Sequence, residues 1–198
     1  MTLAPAHRVG ILLILALVMA ATRINHFAPL PDASWAVFLA AGFYLRGQWR
    51  WAFPLLLAEA VLIDYLVISA QGLAFWNHYC MSPAYLILLA AYPLLWFAGA
   101  FLRGQYRGLD LRSLALLVGT AFVAVNLFYL VSNGSFYWLA DNVPLPRSFG
   151  AWMQNLGDWY PAYLRINLTY VAAFAAVHVL VVLAAQRLAR TSIEPLRR

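Results

Sequence analysis

Long apolar runs dominate the chain, and its polar residues collect between them instead of alternating with hydrophobic ones. Six runs read as candidate membrane-spanning helices, at about 9–21, 33–45, 51–70, 83–102, 111–131 and 161–188. A span needs about 20 mostly apolar residues, fewer where the bilayer thins, and the first two runs are the shortest. Period-two segments of the barrel type are absent, and backbone groups left unpaired in lipid cost several kcal/mol. The predicted fold is therefore all-α, a single polytopic domain of six transmembrane helices.

Composition agrees with the pattern. Of 198 residues, 65% are hydrophobic and 10% charged, where a soluble domain has roughly a quarter charged; mean hydropathy is +0.75. A net charge of +6 invites a nucleic-acid reading, but there is no lysine and most of the thirteen arginines sit at the ends of apolar runs. They report topology. Ten (Arg8, Arg46, Arg50, Arg103, Arg107, Arg112, Arg187, Arg190, Arg197 and Arg198) fall on one side, against Arg23, Arg147 and Arg165 on the other. The positive-inside rule then puts both termini in the cytoplasm. The first run, preceded by His7 and Arg8 and closed by small residues near Ala20 and Ala21, also has the look of a signal peptide. Its removal would leave five spans and break the even number that the arginines require.

Three connections then face outward. The first, 22–32, carries Arg23, His26, Pro29, Pro31 and Asp32; the second runs through Trp76, Asn77, His78, Tyr79 and Cys80. The third, 132–160, is the longest and is rich in Phe, Tyr and Trp, with 148–156 expected as a short interfacial helix. Aromatics at membrane level are ordinary, but here they accompany Asn77, His78, Asn133, Asn155 and Asp158, whereas the inner connections hold only Trp49 and Tyr106. Apolar walls with a few polar fixing groups suit a small-molecule site, so a ligand is expected on the outer face.

Two acids lie inside the third run. Asp64 is near its outer end and Glu59 is deeper. A carboxylate near the bilayer centre costs at least ~2.5 kcal/mol, so such groups turn to the bundle interior or to water. Asp64 is either a ligand contact or a carboxylate satisfied by Arg23, Arg165 or a tyrosine; Glu59 is expected to pair within the protein. Asn126, Tyr129, Tyr163 and Asn167 either line a pocket or tie helices together. Ala16 with Ala20 and Ala36 with Ala40 recur four apart, a spacing that admits a second helix.

Cys80 is the only cysteine. It can form no internal disulfide and no four-cysteine cage, and no resolving thiol exists for redox exchange. Met81, Ser82 and Pro83 beside it mark a helix start, whose positive end favours thiolate over thiol. A thiolate is a soft ligand for a transition metal. His78 and Met81 do not complete a closed ligand set for a bare ion. A metal already held in a macrocycle, corrin or haem, needs only one axial protein ligand.

With short apolar spans, the His26, Phe27 and Pro29 to Asp32 opening, and the His78-Tyr79-Cys80-Met81-Ser82-Pro83 segment, the chain resembles the BtuM family of bacterial vitamin B12 transporters. That family is similar to the substrate-binding S-components of energy-coupling factor transporters. The resemblance covers essentially the whole chain and implies a multi-pass protein of the Gram-negative cytoplasmic (inner) membrane. It implies cobalamin bound at the periplasmic side and delivered inward, with Cys80 as the axial cobalt ligand. Depth and sidedness add Tyr85, Asp64, His26, Trp76, His78, Tyr79 and Asn126 as candidate substrate-binding residues. S-components work with a membrane coupling subunit and ATPases, and this chain carries no GxxxxGK phosphate-binding motif of its own. A thiolate opposite cyanide also makes Cys80-mediated decyanation of cyanocobalamin an expectation, the one enzyme-like step considered. The alternatives are a membrane haem-binding or redox protein using His26 or His78 with Cys80, and an assembly subunit without a ligand. No C-x-x-C-H haem-attachment motif occurs.

Overall fold

A computed structural model describes residues 4–24, 31–78 and 81–193. These are 85% helical and contain no strand. The α-helices are α1 (Pro5–Arg23), α2 (Ser34–Tyr44), α3 (Trp49–Ala70), α4 (Pro83–Gln105), α5 (Leu111–Leu139) and α6 (Phe149–Ile193), with 3-10 turns at Arg46–Gln48 and Phe75–Asn77.

Local chemistry sets the boundaries. Proline opens α1 and α4, where its missing N–H costs nothing. Asp110 caps α5 by accepting from the Ser113 backbone amide at 2.6 Å, and this hydrogen bonding holds its carboxyl below the usual carboxylate range. Just beyond α3, Gly72 adopts a φ of 74°, the left-handed conformation that glycine enters without a Cβ penalty.

Five helices are long and apolar enough to cross a membrane: α1, α3 with its preceding 3-10 turn, α4, α5 and α6 to Ala189. The run at 33–45, expected as the second span, forms an 11-residue helix, about 16 Å long against a hydrocarbon core of ~30 Å. Nine of its residues are buried, so α2 is apolar because it sits at the centre of the bundle. The last run also differs. A separate interfacial helix at 148–156 and a span at 161–188 were expected, but a single 45-residue helix runs through both, about 68 Å long. Pro161 lies inside it; a proline removes one backbone donor without necessarily ending a helix.

One apolar core takes residues from all six helices, with Trp96, Tyr92, Tyr129, Phe38 and Phe128 its largest buried side chains. The central α2 lies along α4, α4 packs on α5, α1 covers α2 and α3, and α6 rests on α5 and α2. Two glycines set the closest approach. A Cβ on Gly42 would overlap the Trp96 carbonyl, and one on Gly99 would overlap the Leu39 carbonyl. Outward residues remain apolar, including Leu13, Ile14 and Leu17 of α1 and Leu55, Leu62 and Leu66 of α3, as lipid-facing surfaces require.

The helices run alternately up and down. One end carries the connections α1–α2, α3–α4 and α5–α6; the other carries α2–α3 and α4–α5 with Arg46, Arg50, Arg103, Arg107 and Arg112.

Candidate functional site

At the first end the helices are tied by one buried cation. Arg23, at the end of α1, is 5% exposed. Its guanidinium donates to both oxygens of Asp64 on α3, at 2.8 and 2.7 Å, and to Asp32 at 2.8 Å. It also reaches Ser34 Oγ at 3.0 Å and Tyr92 Oη at 3.5 Å. Tyr85, from the first turn of α4, donates to Asp64 at 2.6 Å. Asp32 in turn accepts from the Ser34 backbone amide and hydroxyl. Four helices therefore meet on one ion-pair cluster. A charge removed from water is tolerable when paired and fully hydrogen-bonded, and the planar fork of arginine suits two carboxylates at once. Both Asp64 oxygens and the Tyr85 hydroxyl are engaged with the protein itself.

Glu59 differs. It is half-buried and makes no hydrogen bond or ion pair among the described residues; the expected internal pairing is not found there. It lies on the same stripe of α3 as exposed Leu55, Leu62 and Leu66.

Beside the arginine cluster is a cavity of about 860 Å³ between the end of α5, the connection 140–148 and the start of α6. Asn133, Tyr137, Asn155, Asp158, Trp159 and Tyr163 are among its lining residues. The two helices are joined here by amides and hydroxyls. Asn133 donates to Asn155 Oδ1 at 2.9 Å and accepts from Trp152 Nε1 at 3.0 Å. Tyr160 donates to Asn126 Oδ1 at 2.8 Å, and Asn126 donates to the Phe122 carbonyl. Tyr129 donates to the Leu156 carbonyl at 2.7 Å, one residue before the Gly157 carbonyl whose helical donor Pro161 lacks. Trp35, next to Ser34 of the arginine cluster, stacks against Tyr163 of the cavity wall, with centroids 4.8 Å apart. Arg147 closes the connection by donating to the carbonyls of Trp138 and Ala140.

The candidates from sequence fall into three groups. Asp64 and Tyr85 meet in the ion-pair cluster, and Asn126 lies on α5 in contact with α6. Trp76 and His78 lie in the α3–α4 connection, Trp76 83% exposed and His78 half-buried. His26, Tyr79 and Cys80 lie outside the described residues. The flanks of Cys80 are described: the Met81 amide donates to the His78 carbonyl at 2.8 Å, and α4 starts at Pro83 as the sequence predicts. Ser82 Oγ is buried there without a hydrogen-bond partner among the described residues.

The sequence reading named Arg23 as a possible partner of Asp64 but had no signal for Ser34 and Tyr92, which join the cluster from 11 and 69 residues away. A second polar cluster lies at the opposite end. There His178 lies between two tyrosines, with Nδ1 2.9 Å from Tyr44 Oη and Nε2 2.9 Å from Tyr106 Oη.

No family model matches the chain, and a search of curated proteins finds no relative.

Proposed function

We propose that this protein binds cobalamin at the end of the bundle carrying Cys80 and carries it across the bacterial cytoplasmic membrane. The observation that carries the reading is the single cysteine in the connection leading into α4, between His78 and Met81, whose backbones are hydrogen-bonded. Two further features support it. The cavity of about 860 Å³ at this end lies in the upper part of the range of small-molecule sites. Its Asn142 and Gln154 amides match the amide-bearing rim of a corrin, while Trp159 and Tyr163 offer flat apolar surface to its ring.

In this reading Cys80 thiolate donates its electron pair to Co(III), taking the axial position from which the nucleotide base has detached. Electron donation from sulfur weakens the opposite axial bond. Cyanide then leaves with its bonding pair and takes a proton from water, and cobalt keeps its oxidation state. The exchange is stoichiometric in Cys80 and becomes turnover only if the sulfur–cobalt bond is broken on the inner side, by a cytosolic thiol that takes the place of Cys80 on cobalt and passes its proton to the Cys80 sulfur. The Arg23 cluster ties four helices at this end, and in this reading Asp64 and Tyr85 act as positioning residues. An energy-coupling membrane subunit with ATPases is the proposed source of work for transport.

The test is purification with cyanocobalamin. Wild type is expected to show the shifted visible absorption of thiolate-bound cobalt, and Cys80→Ser to lose it and bind at least tenfold more weakly, about 1.4 kcal/mol. An unchanged spectrum and affinity in Cys80→Ser would reject the assignment.

A further inference from the structure

A second cavity, of about 460 Å³, lies at the opposite end, enclosed by α2, α4, α5, α6 and the α4–α5 connection. Its walls are almost wholly apolar, with Leu39, Phe43, Leu117, Phe174 and Val179 among them. The polar groups in it are already engaged. Both His178 ring nitrogens face tyrosine hydroxyls at 2.9 Å, and Asp110 accepts from the Ser113 amide. Away from Asp110 these walls offer a polar solute few partners, whereas an apolar chain would lose nothing by entering.

The rim is cationic. The Arg103 guanidinium lies 5.6 Å from the Phe43 ring centroid and 5.8 Å from that of Tyr106, both cavity residues. Arg107 and Arg112 flank the wall segment 108–111. None of the three comes within ion-pair distance of a carboxylate among the described residues, although Arg107 and Arg112 lie within electrostatic reach of Asp110, a cavity residue; Arg112 also reaches Gln105 Oε1, at 3.5 Å. Three cations against one carboxylate, beside an apolar cavity on a chain surrounded by lipid, complement one class of molecule. We infer that this cavity holds an acyl chain of an anionic phospholipid, with the lipid phosphate at Arg103, Arg107 and Arg112. The bound lipid would fill the space that α6 leaves beside α4 and α5. This inference is independent of the cobalamin reading, since it concerns the other end of the bundle.

The test uses the full chain in nanodiscs containing phosphatidylglycerol with a photoactivatable group near the end of one acyl chain, or phosphatidylcholine with the same chain. Labelling by the phosphatidylglycerol probe is expected to concentrate within 102–117 and 171–179 and to exceed that by phosphatidylcholine. Each of Arg103→Gln, Arg107→Gln and Arg112→Gln should cut retention of the anionic probe about fivefold and leave the zwitterionic one unchanged. Ala175→Phe, which fills the cavity, should abolish labelling within those segments by both probes, and Leu117→Phe provides a second such variant should the first not fold. Equal labelling by the two lipids, or labelling spread evenly over all helices, would overturn the inference. So would competition by inorganic phosphate, which would mean a phosphate site without a chain. A photoactivatable phenylalanine at position 174 that captures residues 194–198 would overturn it too, by showing the protein's own tail in the cavity.

Discussion

At the residue scale, one arginine determines how the Cys80 end of the bundle is built. Arg23 stands between Asp64 and Asp32, with Tyr85, Ser34 and Tyr92 completing its surroundings. Removing it leaves two carboxylates in a largely buried place. Arg23→Ala is expected to destabilise the protein by about 3–5 kcal/mol, read as a lowered unfolding midpoint in detergent. Tyr85→Phe deletes one hydrogen bond to a charged group and should cost about 1.5–3 kcal/mol. If Arg23→Ala unfolds like wild type, the cluster is not holding the helices. Part of this was legible beforehand. An aspartate inside an apolar run announces that it needs a partner, and Arg23 was among the few cations on the right side. The choice between Arg23 and Arg165 was not legible, because it depends on how α1 and α3 pack.

At the element scale, the run at 33–45 shows where hydropathy stops being informative. A helix surrounded by protein and a helix surrounded by lipid are equally apolar, and only length separates them; α2 has 11 residues, nine of them buried. The long α6 was hidden for the opposite reason. Its first three turns carry Asn155 and Asp158 among aromatics, which read as a connection, and Pro161 reads as a break. Gly42 and Gly99 were not singled out, because a glycine in an apolar run carries no mark of which backbone it approaches. Gly42→Ala and Gly99→Ala each place a methyl against a backbone carbonyl that cannot move without moving its helix. Each is expected to cost about 1–3 kcal/mol or more, and wild-type stability in both would contradict the close packing of α2 on α4. Asp110 gives a pH dependence. Its folded carboxyl is held low by Ser113, so its capping contribution is present above the ordinary carboxylate value of about 3.9 and lost as pH falls through the lower folded value. Protection from hydrogen exchange at the first turn of α5, measured against the intrinsic exchange rate at each pH, should therefore fall on acidification, and Asp110→Ala should remove that dependence.

At the scale of the whole molecule, the two ends of one helical bundle have different chemistry. One end holds a buried ion-pair cluster, a cavity lined with amides and aromatics, and the lone cysteine in its α3–α4 connection; the other holds an apolar cavity with Arg103 beside two of its aromatic residues. The all-helical class was legible from the apolar runs, and five helices have the length and composition of membrane spans. The larger cavity was partly legible, because its lining is the single stretch 132–163, whose Asn133, Asn155 and Asp158 stand among aromatics; the apolar one was not, since its walls come from segments distant in the chain. What unites the Cys80 end is the proposal that sulfur meets a metal already held in a macrocycle. The most direct measurement is cobalt X-ray absorption on the purified protein loaded with cobalamin. Wild type is expected to show a sulfur atom in the cobalt coordination shell that disappears in Cys80→Ser. A shell of only nitrogen, carbon and oxygen in wild type would contradict the account.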